Sequence, residues 1–66
     1  MYDRVLKASL KEQKIIIILY LKGNEITQRT IKVLKITDDD IQAYCFLRKQ
    51  IRHFKKNNIL AAEYTH

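Results

Sequence analysis

The chain of 66 residues has no proline, one glycine (Gly23), one cysteine (Cys45) and one serine (Ser9). Each scarcity closes a possibility. Without Pro- or Gly-rich stretches there is no low-complexity linker, and the length allows only a single domain over residues 1–66. A lone cysteine cannot form an internal disulfide, which suits a reducing, cytoplasmic setting. Nor is there a Gly-rich loop to cradle phosphate. The one serine falls in a predicted helix, away from any base and orienting acid, so a hydrolase-type triad is not expected. His53 and His66 do not make a metal site, and no cysteine pair has zinc spacing. The sequence therefore predicts no enzyme, no cofactor and no metal. The longest apolar run, Ile15 to Leu21, is far short of the ~20 residues that span a bilayer. The opening segment, MYDRVLKASLKEQ, lacks the apolar core and cleavage site of a secretion signal. No membrane association is expected.

What is present is apolar material and positive charge. Apolar residues make up 47% of the chain, enough for a core. A chain this short hides only about 60% of its unfolded surface, which favours a partner or self-association. Thirteen Lys and Arg against seven Asp and Glu give a net charge of +6. A field of that sign draws in polyanions without naming them. The charge is also polarised. Asp38, Asp39 and Asp40 stand together, whereas Arg48 to Lys56 holds five basic residues and no acid.

Along the chain, Tyr2, Val5, Leu6, Ser9 and Leu10 follow a three-four spacing, which predicts a helix over about 2–12. Asp3 suits the positive end of its dipole. Four consecutive isoleucines in KIIIILYLKGNEI are stiff at the first side-chain torsion and predict a strand. A strand so apolar on both sides is expected to be covered on both faces. Lys22-Gly23-Asn24-Glu25 supplies a turn. ITQRTIKVLKI, rich in β-branched residues, then predicts a second strand paired with the first.

From Thr37 onward local signals divide. Thr37 with Asp40 resembles a capping box. Ile41, Tyr44, Leu47, Ile51 and Phe54 follow helical spacing, so one reading is a basic amphipathic helix over 38–56 within an α+β fold. Yet Ile41, Ala43, Cys45 and Leu47 alternate as in a strand. Periodicity alone leans slightly to the helix.

The stretch IQAYCFLRKQIRHFKKNNIL resembles the WYL domain family. The family's run of Ala-Tyr-Cys-x-x-Arg, then Arg-x-Phe and a basic-Ile ending, is matched by Ala43, Tyr44, Cys45, Arg48, Arg52, Phe54 and Ile59. Upstream, Tyr20, Gly23 and Arg29 match its strand-final Tyr, its Gly turn and an Arg-led second strand. The similarity covers roughly residues 5–62. The tripeptide that gives the family its name would fall at Asp39, Asp40 and Ile41, so its Trp and Tyr are replaced, and Val33 stands at a customary Pro.

This resemblance implies a mainly β fold, a small five-stranded SH3-like (Sm-like) barrel over about 14–64 with an N-terminal helix. On that template 41–48 and 51–55 form a hairpin, although Lys49-Gln50 lacks the Gly or Asn of a tight turn. Pairing 48 with 51 would put Ala43, Cys45, Leu47 and Phe54 on one face with Arg52 at its rim. Tyr44, Phe46, Arg48, His53 and Lys55 would share the other. A last strand, about Leu60 to Tyr64, would close the barrel.

The site expected on this basis is an anion patch. Arg48 and Arg52 offer planar forks for phosphate, with Arg29 and Lys32 as secondary candidates. Tyr44, Phe46 and Tyr20 offer flat surfaces for a base, and His53 lies among them. The competing interpretation is that these rings belong to the core, favoured for Phe54 and Phe46, and that the arginines merely border it. Cys45 is read as a buried apolar residue rather than a reactive thiol, and Lys55 and Lys56 as general field.

WYL domains resemble sensors of nucleotides or single-stranded nucleic acid, commonly joined to a DNA-reading helix-turn-helix. No such module lies within 1–66. The expectation is a stand-alone domain that binds nucleic acid or a nucleotide, with a protein partner supplying DNA-binding or effector function. The rival is a protein-interaction module or homodimer in which the apolar Ile15–Leu21 strand completes a sheet.

Overall fold

The computed structural model describes residues 2–65. A helix, α1 (Asp3–Glu12), precedes five strands, β1 (Ile16–Lys22), β2 (Glu25–Ile36), β3 (Asp40–Cys45), β4 (Gln50–Lys55) and β5 (Ile59–Tyr64). A short 3-10 turn, Lys56–Asn58, joins the last two. All pairings are antiparallel, in one sheet ordered β4-β3-β2-β1-β5. The mainly β class with an N-terminal helix is as expected. The sheet is not closed: β5 pairs with β1 but not with β4, so both are edges.

The first hairpin follows its sequence signal. Lys22 and Glu25 form the last pair of the ladder, and Gly23 takes φ 62°, which a glycine adopts without steric cost. Residues 38–56 are not a helix. Thr37 and Asp40 do make the capping-type contacts, with the Thr37 hydroxyl donating to an Asp40 carboxylate oxygen at 2.7 Å and accepting from the Asp40 N–H at 3.1 Å. Those bonds close the β2–β3 loop instead of starting a helix, and a Thr37 N–H to Asp40 C=O bond completes it. Long-range pairing on both sides of β3 outweighs the local signal.

The β3–β4 hairpin differs from the template. Cys45 pairs with Gln50, so Phe46 to Lys49 form a four-residue turn, with Lys49 at φ 56° taking the place of a glycine. Relative to a pairing of 48 with 51, the ladder slips by an even number of residues. Faces within the strands are therefore kept. Ile41, Ala43, Cys45, Arg52 and Phe54 point inward and Tyr44, His53 and Lys55 outward. Leu47 and Phe46 leave the ladder and lie exposed, against their expected inner-face and core places.

The core lies between α1 and the inner face, where Ile16, Ile18, Ile31 and Ile41 are fully buried. Cys45 is buried and free, as expected. The outer face of β1 has no covering layer, and Leu19 is 37% exposed there. The expectation of cover on both faces fails because α1 serves the inner side. The sheet curls so far that β1 touches β4, with two strands between them. The Tyr20 hydroxyl accepts the Lys55 N–H at 3.0 Å, and its ring meets Phe54 edge-on at 5.0 Å between centroids.

Ser9 anchors the helix to a defect in the sheet. The β2–β3 register shifts between Val33 and Lys35, leaving Leu34 unpaired as a bulge. Fully buried, Ser9 accepts the Val33 N–H at 2.9 Å and donates to the Lys14 C=O at 2.6 Å. Ser9→Ala leaves the Val33 N–H without this partner at a buried position and the Lys14 C=O at a partly buried one. A loss of about 1–3 kcal/mol is expected, measurable by urea denaturation.

Candidate anion-binding cleft

A cleft of about 280 Å³ opens where the end of β1 and its turn come over against β4. Tyr20, Lys22 and Gly23 form one wall, Arg29 of β2 the floor side, and Arg52 to Lys55 with Asn58 the opposite wall. The curl of the sheet places them. Arg29 stands opposite Ile18 and Arg52 opposite Ala43, so both guanidinium groups rise from inward-facing positions at the end of the buried core. Both are partly buried, while Lys22, His53 and Lys55 are exposed.

Positive charge dominates the lining. Lys22, Arg29 and Arg52 contribute cationic groups, Lys55 borders the cleft from a strand position whose side chain points outward, and no carboxylate of the described residues lines it. Among the described residues none of these four is in an ion pair. Acids stand at the margin: Asp40 is 3.8 Å from His53 Nδ1 and is the strand partner of Lys55, and Glu25 is the strand partner of Lys22. Tyr20 is held rigidly by Lys55 and Phe54, so its ring is a fixed wall. Such a set can hold an anion through planar forks and a second contact from an ammonium.

Of the residues singled out from the sequence, Tyr20, Arg29, Arg52 and His53 meet at this cleft. Tyr44 and Arg48 do not. Tyr44 is on the outer face, its ring 5.0 Å from that of Phe46. Arg48 is exposed in the Phe46–Lys49 turn, at the far end of β4. Lys32 donates to Gln13 at 3.3 Å, beside the helix C-terminus. Phe54 is core, 4% exposed. Sequence reasoning missed Lys22 and Asn58, and assigned Lys55 to general field. Lys22 flanks the turn glycine, and only the curl of the sheet shows that this turn reaches β4.

No group of three His, Cys, Asp or Glu side chains among the described residues is placed to hold a metal ion. His66 lies outside the described residues. Among the described residues no helix is long and apolar enough to cross a membrane. The chain matches no family model, and no curated protein matches it.

Proposed function

We propose that this chain is a non-enzymatic, WYL-like binding domain that recognises a polyanion, single-stranded nucleic acid or a nucleotide, at the cleft of Tyr20, Arg29 and Arg52. One observation carries the reading: among the described residues Lys22, Arg29 and Arg52, none ion-paired, line a cleft with no carboxylate of its own. The volume sits near the lower end of ligand pockets, which run from about 300 Å³ upward. That suits one nucleotide unit better than a buried length of strand. A rigid tyrosine wall beside the guanidiniums gives a base a surface to lie on. The curled, five-stranded sheet with its N-terminal helix is read as an open SH3-like barrel, whose unclosed side is where the cleft forms. A cytoplasmic setting fits the free, buried Cys45. The domain acts through a protein partner that supplies DNA-binding or effector function.

A salt titration tests this. Affinity for a fluorescent single-stranded oligonucleotide should fall steeply with salt. If Lys22, Arg29 and Arg52 each meet a phosphate, log affinity against log salt has a slope of about −2. Absence of binding to oligonucleotides and nucleotides at low salt removes the proposal.

A further inference from the structure

The hydrogen-bond pattern shows which backbone groups the sheet leaves free. Thr65 donates to Ile15 C=O, so residues 61, 63 and 65 face β1. Leu60, Ala62 and Tyr64 consequently direct their N–H and C=O groups away from the sheet. Tyr2 donates to the Leu60 C=O, which keeps a second lone pair, and among the described residues Ala62 and Tyr64 keep both backbone groups free. At the other edge, Lys55 gives its N–H to Tyr20, which identifies 51, 53 and 55 as the outward-directed set of β4.

The two edges differ in guarding. β4 carries Arg52, His53 and Lys55, and charge on an edge discourages pairing with a copy of itself. β5, with sequence ILAAEY, has Glu63 as its sole charge. Leu60 and Tyr64 are 39% and 41% exposed. β1, the strand expected from sequence to complete a dimer sheet, has neighbours on both sides and no free edge.

From these observations we infer that two copies of the chain pair antiparallel through β5, giving a sheet continuous across a two-fold axis at Ala62. In that register Leu60 stands opposite the second copy's Tyr64, and Ala61 opposite its Glu63. Shifting the axis to Glu63 would set two carboxylates face to face, which is unfavourable. Antiparallel pairing of β4 of one copy with β5 of another would turn the sheet over, because the outward-directed residues of β4 have side chains on the outer face, whereas Ala62 and Tyr64 have theirs on the inner face. Parallel, head-to-tail pairing keeps the faces but is disfavoured by the charges on β4 and by the Lys55 N–H already being given to Tyr20. The β5–β5 contact is isologous and closed rather than fibre-forming. The paired segment is short, so the dimer is concentration-dependent.

Sedimentation across a concentration series tests this on the full chain. Wild type should approach twice the monomer mass at high concentration. Ala62→Pro should stay monomeric, because it removes an N–H that no intramolecular bond uses, on an edge where proline is tolerated. Leu19→Lys, on the uncovered outer face, should still dimerise. In wild type, the Ala62 and Tyr64 amides should exchange more slowly at high concentration than at low, a readout that holds even if Ala62→Pro folds poorly. A wild type that is monomeric throughout, or amide exchange independent of concentration, overturns the inference. So does loss of dimer in Leu19→Lys with retention in Ala62→Pro, which would mean packing by sheet faces. None of these outcomes depends on the anion cleft, which lies at the other edge.

Discussion

Replacing Ile18 by Ala is expected to bring the protein to the edge of unfolding at room temperature. Ile18 is fully buried on β1, between Arg29 of β2 and Ala62 of β5. Truncating such an isoleucine removes its transfer energy and leaves a cavity between two ladders, at a cost of about 2–5 kcal/mol. A chain of 66 residues has a total stability of about 3–10 kcal/mol. The variant should therefore show a populated unfolded state without denaturant, seen as lost sheet signal in far-ultraviolet circular dichroism. The adjacent Leu19 supplies the contrast. It faces outward and is already 37% exposed, so Leu19→Ala should lose less than about 1 kcal/mol. Equal losses at the two positions would mean that the outer face of β1 is covered after all.

The second large effect is on binding. Changing Arg29 and Arg52 together to Ala should weaken oligonucleotide affinity by about 100-fold. Hydrogen bonds to a charged group contribute about 1.5–3 kcal/mol each, and 1.4 kcal/mol is roughly tenfold in affinity. The salt slope should flatten by about 1.4, since two of the phosphate contacts are gone. Both side chains are only partly buried, so the fold should survive, which circular dichroism checks. Arg48→Ala is the control. It removes the same charge from an exposed turn outside the cleft and should change affinity only slightly. Equal weakening by Arg48→Ala would mean that general charge attraction, not the cleft, holds the ligand.

These two tests also mark what could be read from the residues. The helix, the Lys22–Glu25 turn and the two β-rich segments were legible because each rests on local chemistry: a three-four apolar stripe, a glycine able to take positive φ, and β-branched runs. Residues 38–56 were not legible on local grounds. Their apolar residues satisfy both periods, and the Thr37–Asp40 contacts serve a loop as well as a helix start. Resemblance to a β family selected the hairpin, and the structure has one, yet its turn is four residues long because no Gly or Asn marks a tighter one. Lys49 takes the positive φ unannounced. Closure by the last strand did not follow either. That strand exists where expected, but its partner is β1, and pairing partners far apart in sequence leave no local trace. The same applies to the cleft. Arg29, Arg52 and Tyr20 were chosen by residue type, but their meeting depends on the curl that brings β1 to β4, as does the enlistment of Lys22 and Lys55. Tyr44 and Arg48 were equally good by type and were carried elsewhere by the hairpin geometry.

The pairing of Ile16 with Tyr64 has a consequence for the order in which the chain can be completed. As the polypeptide emerges during synthesis, the isoleucine run can zip to β2 at once, but its opposite flank stays bare until the last strand leaves the ribosome. For that interval the stickiest segment of the molecule is an open rim, available to any neighbouring nascent chain. β5 thus acts as a seal, and a truncated product ending before Ile59 would carry that rim permanently.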